Sequence, residues 1–344
     1  MKEFEFIDRV MPDVPPPSPA QVAAVRARLT EAVATRRTAP AVRARGWRGI
    51  VLVAAAVALV IAAVVVMVPR SSPTPVASTP ERLLDLAAAR LAAQPQGAGR
   101  YWRLEIEEIT RGKGEGGYVV EERGRDVLAL GRDNTGYTWY ESASAKPYST
   151  EDTEAWKRSG SPRLCPARGC DKNLRFYPRR DPEQMLVLAE GWEPTVKELL
   201  ALPRKAKALK TELLRHRSAH STISPDDWVM QVGARLVRDV PATPGTRAAV
   251  YRMLATMPGV GVLDDVRDPM GREGVALQLP TRGADRVQLV IDPRSGELLA
   301  VQHMAPMPGL PQGVPWSASV VRKAGWSDAR PVPPPGCKGC AGRH

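Results

Sequence analysis

A chain of 344 residues suggests about two domains and is long enough to bury one sizeable core. Its hydrophobic content of 43% and charged content of 25% are ordinary for a globular protein. The net charge of +12 is compatible with nucleic acid or anionic lipid as a partner. No basic stripe alternates with aromatic residues as in a nucleic-acid-binding module, so a solvated basic surface is favoured and no nucleic-acid partner is predicted.

Residues 1–48 are predicted to form a short cytoplasmic segment with one amphipathic helix. This helix begins with Ser18 as its N-cap, Pro19 in the first turn and Gln21 to complete a capping box. An apolar stripe at helical spacing consists of Val22, Val25, Leu29 and Val33. A single amphipathic helix has no core of its own, so the stripe is expected to contact a partner, lie on the membrane or stay weakly ordered.

The segment Gly49–Val68 is predicted to be a transmembrane helix. It has twenty residues without a charged or polar side chain, and such a helix spans about 30 Å, the thickness of a bilayer core. A buried strand is disfavoured because strands rarely exceed about ten residues. A cleaved signal peptide is the competing interpretation, but the 48-residue leader and the long apolar run favour an uncleaved anchor.

Basic residues immediately before this span set its predicted orientation. The interfacial group comprises Arg43, Arg45, Trp47 and Arg48. Because arginine is retained on the cytoplasmic side, the N-terminus is predicted to be cytoplasmic and the C-terminal bulk of the chain extracytoplasmic. The chain is therefore expected to be a single-pass protein of the cell membrane, with bilayer lipid as its first partner.

Three segments are predicted beyond the span. A Pro/Ser/Thr linker at 69–80 is expected to hold the next domain just off the membrane. A folded extracytoplasmic domain occupies 81–330, and a Pro/Gly/Cys tail covers 331–344. The domain is predicted to open with a helix whose core face carries Leu83, Leu86 and Leu91. Strand-like alternation then covers 100–110, 118–130 and 137–143.

The middle of the domain is predicted to be helical and its end to return to strands. The helical segments are 181–192, a basic helix at Lys205–Arg217, 224–239 and 244–259. The basic helix is expected to have a solvated face, with phosphate-bearing polymers or lipid headgroups as the alternative. A turn at Asp292–Gly296 predicts an antiparallel hairpin. This order predicts an α+β fold in which a curved antiparallel sheet has helices packed on one face.

Three stretches of the chain are similar to those of a known family. The first is FIDRVMPDVPPPSPAQVAAVRARL near the N-terminus, and the second is GRYWRLEIEE. The third is VYRMLATMPGVGVLDDVRDPMGREGVALQLP together with LVIDPRSGELLAV. These resemble the cytoplasmic opening, first strand and helix–strand–hairpin core of uncharacterised actinobacterial single-pass membrane proteins. Members are often encoded beside extracytoplasmic-function sigma factors, so the resemblance implies a signalling role. It implies no catalytic residue, and the cysteine-bearing insert and tail depart from the family's pattern.

Four patterns with chemical potential each have a simpler structural interpretation. Gly112–Gly117 matches GxGxxG but lies between two strand-like runs, so a hairpin loop is predicted instead of a phosphate site. His216 and His220 lack a third ligand, and a solvent-exposed pair is expected. Asp226–Asp227 are predicted to lie at a helix N-terminus, where the helix dipole favours carboxylates. Asp264–Asp265 are predicted to lie in a loop between strands. No catalytic, cofactor-binding or metal-binding residue is predicted, and the chain is not expected to be an enzyme.

The cysteines of the chain form two close pairs. They are Cys165 with Cys170 and Cys337 with Cys340. On the predicted topology all of them are extracytoplasmic, where disulfides persist, so two structural disulfides are favoured. A metal site built from all the thiolates and a redox-active CxxC are the alternatives. Local pairing and cross-pairing of the two bridges both stay open.

The favoured interpretation is a membrane-anchored sensory or regulatory protein. Its extracytoplasmic domain would bind an envelope ligand, and its N-terminal helix would contact a cytoplasmic regulator such as a sigma factor. A zinc-binding anti-sigma mechanism is excluded for residues 1–80, which contain no histidine or cysteine. The alternative is a carrier that holds a lipid or another envelope ligand in an apolar cleft between the sheet and its helices. A hydrolase is a third interpretation, without a motif to support it.

Overall fold

The computed structural model describes residues 79–164, 175–179, 188–189, 192–281 and 283–332. The predicted amphipathic stripe, the predicted membrane span with its flanking arginines and tryptophan, and all the cysteines lie outside these ranges. Within them, no helix combines the length and the apolar character that crossing a bilayer requires.

The described elements begin with helix α1 (Pro80–Ala92) and three long strands, β1 (Tyr101–Lys113), β2 (Val119–Gly131) and β3 (Gly136–Pro147). Next come α2 (Thr150–Arg158), β4 (Arg175–Arg179), α3 (Val196–Ala201), α4 (Ala206–Arg215), α5 (Pro225–Arg238) and α6 (Pro244–Ala255). The last strands are β5 (Gly261–Arg267), β6 (Glu273–Pro280), β7 (Arg286–Ile291), β8 (Leu298–His303) and β9 (Ser317–Ser327).

The nine strands within the described residues form one antiparallel sheet in the order β4-β3-β2-β1-β9-β8-β7-β6-β5. The first four strands make one meander, and the last five make a second meander that runs inward from the opposite edge. Strands β1 and β9 join the two, with Trp102 opposite Trp326 and Ile109 opposite Ala318. The predicted α+β fold with an antiparallel sheet is therefore confirmed, as is the hairpin at Asp292–Gly296, which connects β7 to β8.

The main hydrophobic core lies between helices and one face of the sheet. Helices α1, α4, α5 and α6 contribute Leu91, Leu209, Trp228 and Tyr251 to it. The strands contribute alternate residues, as expected when side chains of successive strand residues point to opposite faces. A smaller and separate apolar cluster, around Val290 of β7, lies on the other face of the sheet.

The core face predicted for α1 is wrong in part. The buried residues of the helix are Leu84, Ala87, Ala88 and Leu91. Leu86 is 47% exposed, and Leu83 only borders the core. The helix rotates its small residues inward because the turn between β7 and β8 lies against it. Gly296 in that turn sits so close that an added Cβ would be 2.2 Å from the carbonyl oxygen of Ala87.

The other face of the sheet is charged along β1 and β2. Arg111 and Glu121 lie opposite each other on the two strands, and Arg111 Nη2 is 2.8 Å from Glu121 Oε2. Arg123 extends this network, since its Nε contacts Glu121 and its Nη1 contacts Glu107, both at 2.9 Å. Arg111 also donates a hydrogen bond of 2.6 Å to the carbonyl of Pro315. This bond ties the loop that precedes β9 to the charged face.

Three further findings differ from the sequence predictions. Asp264 and Asp265 lie inside β5, not in a loop, where an irregularity between Leu263 and Val266 carries the pair. Asp265 has a φ of 52° there, a left-handed conformation that aspartate tolerates. The described end of the segment predicted to be helical at 181–192 instead forms an antiparallel bridge between Ala189 and Trp192. Elements α2, α3 and β4 are not predicted from the sequence.

Candidate functional site

A groove lies between one flank of α5 and the ends of β6, β7 and β8. Its cavity has a volume of about 200 Å³. The floor is apolar and consists of Met230, Ala234, Leu279, Val287 and Val301. The rim is polar and consists of Gln231, Arg235, Arg238, Thr281 and His303, with Pro280 at one end. An apolar floor with a few polar groups at its edge is typical of small-molecule sites in proteins.

Helix α5 owes its position to strong local signals at its start. The hydroxyl of Ser224 accepts a hydrogen bond from the amide of Asp227, and Pro225 occupies the first turn. Asp226 and Asp227 complement the positive end of the helix dipole, which confirms the role predicted for this pair. The helix is amphipathic, so one face with Trp228 enters the core while its flank borders the groove.

Two arginines from the last turns of α5 stand on the rim of the groove. Arg238 Nη2 donates a hydrogen bond of 2.9 Å to Asp239, and Arg235 Nη1 donates one of 3.0 Å to the carbonyl of Leu188. Burial alone would lower the pKa of Arg238, but the hydrogen bond and charge of Asp239, together with the charge of Glu108, raise it. The guanidinium group of Arg238 is therefore charged at any physiological pH.

The opposite side of the rim contains a histidine at the end of β8. His303 Nδ1 lies 3.2 Å from Asp285 Oδ2, and the imidazole is tilted against the ring of Trp316 at 5.5 Å between centroids. The hydroxyl of Thr281 donates a hydrogen bond of 2.8 Å to the carbonyl of Asp285. These contacts fix the orientation of His303 at the mouth of the groove.

This arrangement suits the binding of an anion with a short apolar tail. The guanidinium groups can donate charge-assisted hydrogen bonds to a carboxylate or phosphate, and the floor can take up methylene groups. The volume slightly exceeds the ~150 Å³ cavity that holds benzene and is below the ~300–1,000 Å³ of drug-sized sites. Ligands of about eight to ten heavy atoms are therefore the best match in size.

His216 and His220, the histidine pair noted in the sequence, do not line the groove, and they differ in their contacts. His216 follows α4 and stacks on Trp192, with 4.3 Å between ring centroids and 13° between planes. Its Nε2 is 3.4 Å from Glu212, whereas His220 is exposed in the turn beyond. The expectation of an exposed pair is thus correct only for His220. Among the described residues, no group of three or more His, Cys, Asp or Glu side chains could hold a metal ion.

The GxGxxG stretch forms the predicted hairpin turn between β1 and β2. The buried ring of Tyr118 lies against the backbone there, since a Cβ on Gly114 would be 2.7 Å and one on Gly116 2.6 Å from this ring. The glycines make room for an aromatic side chain, which is a sufficient reason for their presence. An open cavity of about 610 Å³ beside the turn ends at Leu164, the last described residue before the cysteine-bearing insert.

The residues singled out in the sequence analysis as disulfide, partner-binding or membrane-interface residues do not belong to the described part of the chain. The cysteines Cys165, Cys170, Cys337 and Cys340, the stripe Val22, Val25, Leu29 and Val33, and the interfacial Arg43, Arg45, Trp47 and Arg48 all lie outside the described ranges. The groove itself is missed by the sequence analysis, because its lining comes from four elements separated along the chain. The available signal was the i, i+3 spacing of Arg235 and Arg238 beside the apolar Met230 and Ala234 on α5.

Comparison with known proteins gives no relative. No family model, no curated protein and no solved structure matches the chain.

Proposed function

We propose that the chain is a membrane-anchored extracytoplasmic sensor that binds a small anionic amphiphile in the groove beside α5. Its anchor is the predicted span Gly49–Val68. On the cytoplasmic side, the predicted helix with the apolar stripe at 22–33 contacts the proposed partner, a sigma factor. The resemblance to single-pass membrane proteins encoded near sigma factors supports this contact. The observation that carries the proposal is the groove with an apolar floor and two fixed guanidinium groups.

The size of the groove favours a sensor over a carrier of whole lipids. A two-chain lipid has several times more atoms than about 200 Å³ can enclose. The helices that face the sheet also fill the space between them with buried side chains such as Trp228 and Tyr251. A short acyl chain, or the end of a longer one, fits these dimensions.

Ligand titration of the intact chain in lipid nanodiscs tests the proposal. Nanodiscs avoid detergent, which would itself occupy an apolar groove. We expect hexanoate to bind with a Kd of about 1 mM or tighter, a reasonable value for eight heavy atoms. Hexanol should bind at least ~10-fold more weakly, because it lacks the charge-assisted hydrogen bonds. Hexylammonium should show no binding, since its charge is repelled by the rim.

Two variants separate the charge of the site from its shape. R235Q/R238Q should reduce the affinity for hexanoate by about 10-fold or more and leave that for hexanol unchanged. Ala234→Leu should fill the floor and abolish the binding of both ligands. K157Q/R158Q removes the same charge from the exposed end of α2 and should change neither affinity. Equal binding of hexanoate and hexylammonium, or unchanged hexanoate binding in R235Q/R238Q, would contradict the proposal.

A further inference from the structure

The surface at the start of α4 concentrates positive charge. Arg204, Lys205 and Lys207 are all exposed, and the chain has no acidic residue between positions 199 and 211. The aliphatic part of Arg204 lies over the first turn of α6, since a Cβ on Gly245 would be 2.9 Å from Arg204 Cδ. Arg204 is exposed at the surface and immediately precedes Lys205 in the chain. We call these three residues the basic patch.

Other basic residues of α4 are neutralised, which distinguishes the patch from an ordinary solvated helix. Lys210 Nζ lies 3.1 Å from Asp226 Oδ1, and Arg215 Nη1 lies 2.9 Å from Glu212 Oε2. In the part of the chain that the structure describes, the three residues of the basic patch have no carboxylate partner within 4.0 Å. The patch therefore presents three uncompensated charges to whatever lies opposite.

The predicted anchor keeps this patch close to a bilayer. The span ends at Val68 and α1 begins at Pro80, so eleven residues connect them. Fully extended, such a linker reaches about 40 Å at most. A domain on a tether of this length stays within about 40 Å of the membrane surface. Headgroups of anionic lipids in that surface carry the negative charge that a cluster of lysine and arginine side chains attracts.

We propose that the basic patch binds anionic phospholipid headgroups of the membrane that carries the chain. This inference rests on the proposed anchor but is independent of ligand binding in the groove. Three lysine or arginine side chains near an anionic surface favour the docked state by on the order of 100-fold over a neutral surface. Docking would fix the orientation of the domain relative to the bilayer and so prepare it for signalling across the span.

Lysine labelling of the intact chain in nanodiscs tests this contact. One set of discs contains phosphatidylcholine alone, and the other contains equal parts of phosphatidylcholine and phosphatidylglycerol. At low salt we expect acylation of Lys205 and Lys207 to be about fivefold slower or more in the anionic discs. The difference should vanish at about 0.5 M salt, where screening shortens the range of the attraction. Lys157 on α2 is exposed and serves as the internal control, with equal rates in both discs.

A pair of variants completes the test. In R204Q/K205Q, Lys207 should be labelled in anionic discs at the rate seen in neutral discs, whereas K157Q/R158Q should keep its protection. Equal labelling of Lys205 and Lys207 in both kinds of disc would overturn the proposal. Labelling that is equally slow in both kinds of disc, compared with that of Lys157, would also overturn it, because the patch would then be covered by protein. Failure of the chain to remain in either disc would instead contradict the anchor, so the two failures are distinguishable.

Discussion

Replacing Gly296 by alanine is expected to lower the free energy of unfolding by about 3–5 kcal/mol, from steric overpacking and backbone strain together. Gly296 has a φ of 78°, and an added Cβ would lie 2.2 Å from the carbonyl of Ala87 and 2.6 Å from Cβ of Leu91. Both neighbours are on α1 and fully buried. The turn and the helix would have to separate, and the hydrogen bond of 3.0 Å from Gln94 to the carbonyl of Ser295 would be weakened. Chemical denaturation measures the loss.

Gly271 provides a matched control for this experiment. Its φ of 76° is nearly the same, but nothing lies within 4 Å of an added Cβ. Gly271→Ala should therefore cost only the backbone strain of about 1–2 kcal/mol. An equal loss in both variants would show that the turn between β7 and β8 does not lie against α1.

Replacing Glu121 by glutamine is expected to lower the free energy of unfolding by about 3–5 kcal/mol at neutral pH, because it leaves a buried guanidinium without its counter-charge. The side chains of Arg111 and Glu121 are 7% and 5% exposed. Two hydrogen bonds from Arg111, of 3.0 and 2.8 Å, converge on Oε2 of the carboxylate. Glu115 in the exposed hairpin turn offers the control, and Glu115→Gln should change stability by less than about 0.5 kcal/mol.

The same residue predicts a dependence of stability on pH. Burial alone would raise the pKa of Glu121, but the hydrogen bond from Arg123 and the charge of Arg111 outweigh it, so the pKa is lowered. A carboxyl with a lowered pKa stabilises the fold above its unfolded pKa of about 4.3 and loses this contribution as the pH falls through the folded value. As the pH falls below about 4, the Glu121→Gln variant should therefore lose less stability than the parent chain. Parallel pH profiles of the two proteins would contradict the role assigned to this carboxylate.

Local patterns predict the secondary structure well where caps and periodicity agree. Helix α6 lies within the helical segment predicted at 244–259, and its residues Val250 and Leu254 are buried. Helix α5 has its predicted acidic first turn. The hairpin of β7 and β8 is also predicted, because its turn residues lie between two alternating apolar runs.

Features that depend on distant contacts could not be predicted from the same patterns. The pairing of β1 with β9 joins segments more than 200 residues apart, and no local signal encodes that choice. The inward face of α1 is set by its contact with the turn at Gly296, which lies against the backbone of Ala87 and the Cβ of Leu91. The groove is hidden for the same reason, since Arg238 and His303 belong to different elements that only the fold brings together.

The most direct test of the account is a methyl NMR titration of the intact chain in nanodiscs with carbon-13-labelled methionines. Met230 is on the floor of the groove, while Met253 is buried in the main core on α6. We expect hexanoate to shift the methyl resonance of Met230 in a saturable way and to leave that of Met253 unchanged. In R235Q/R238Q the midpoint of the Met230 shift should lie at a hexanoate concentration about 10-fold higher or more. A Met230 resonance that does not move at saturating hexanoate would contradict ligand binding in this groove, and with it the proposed sensor.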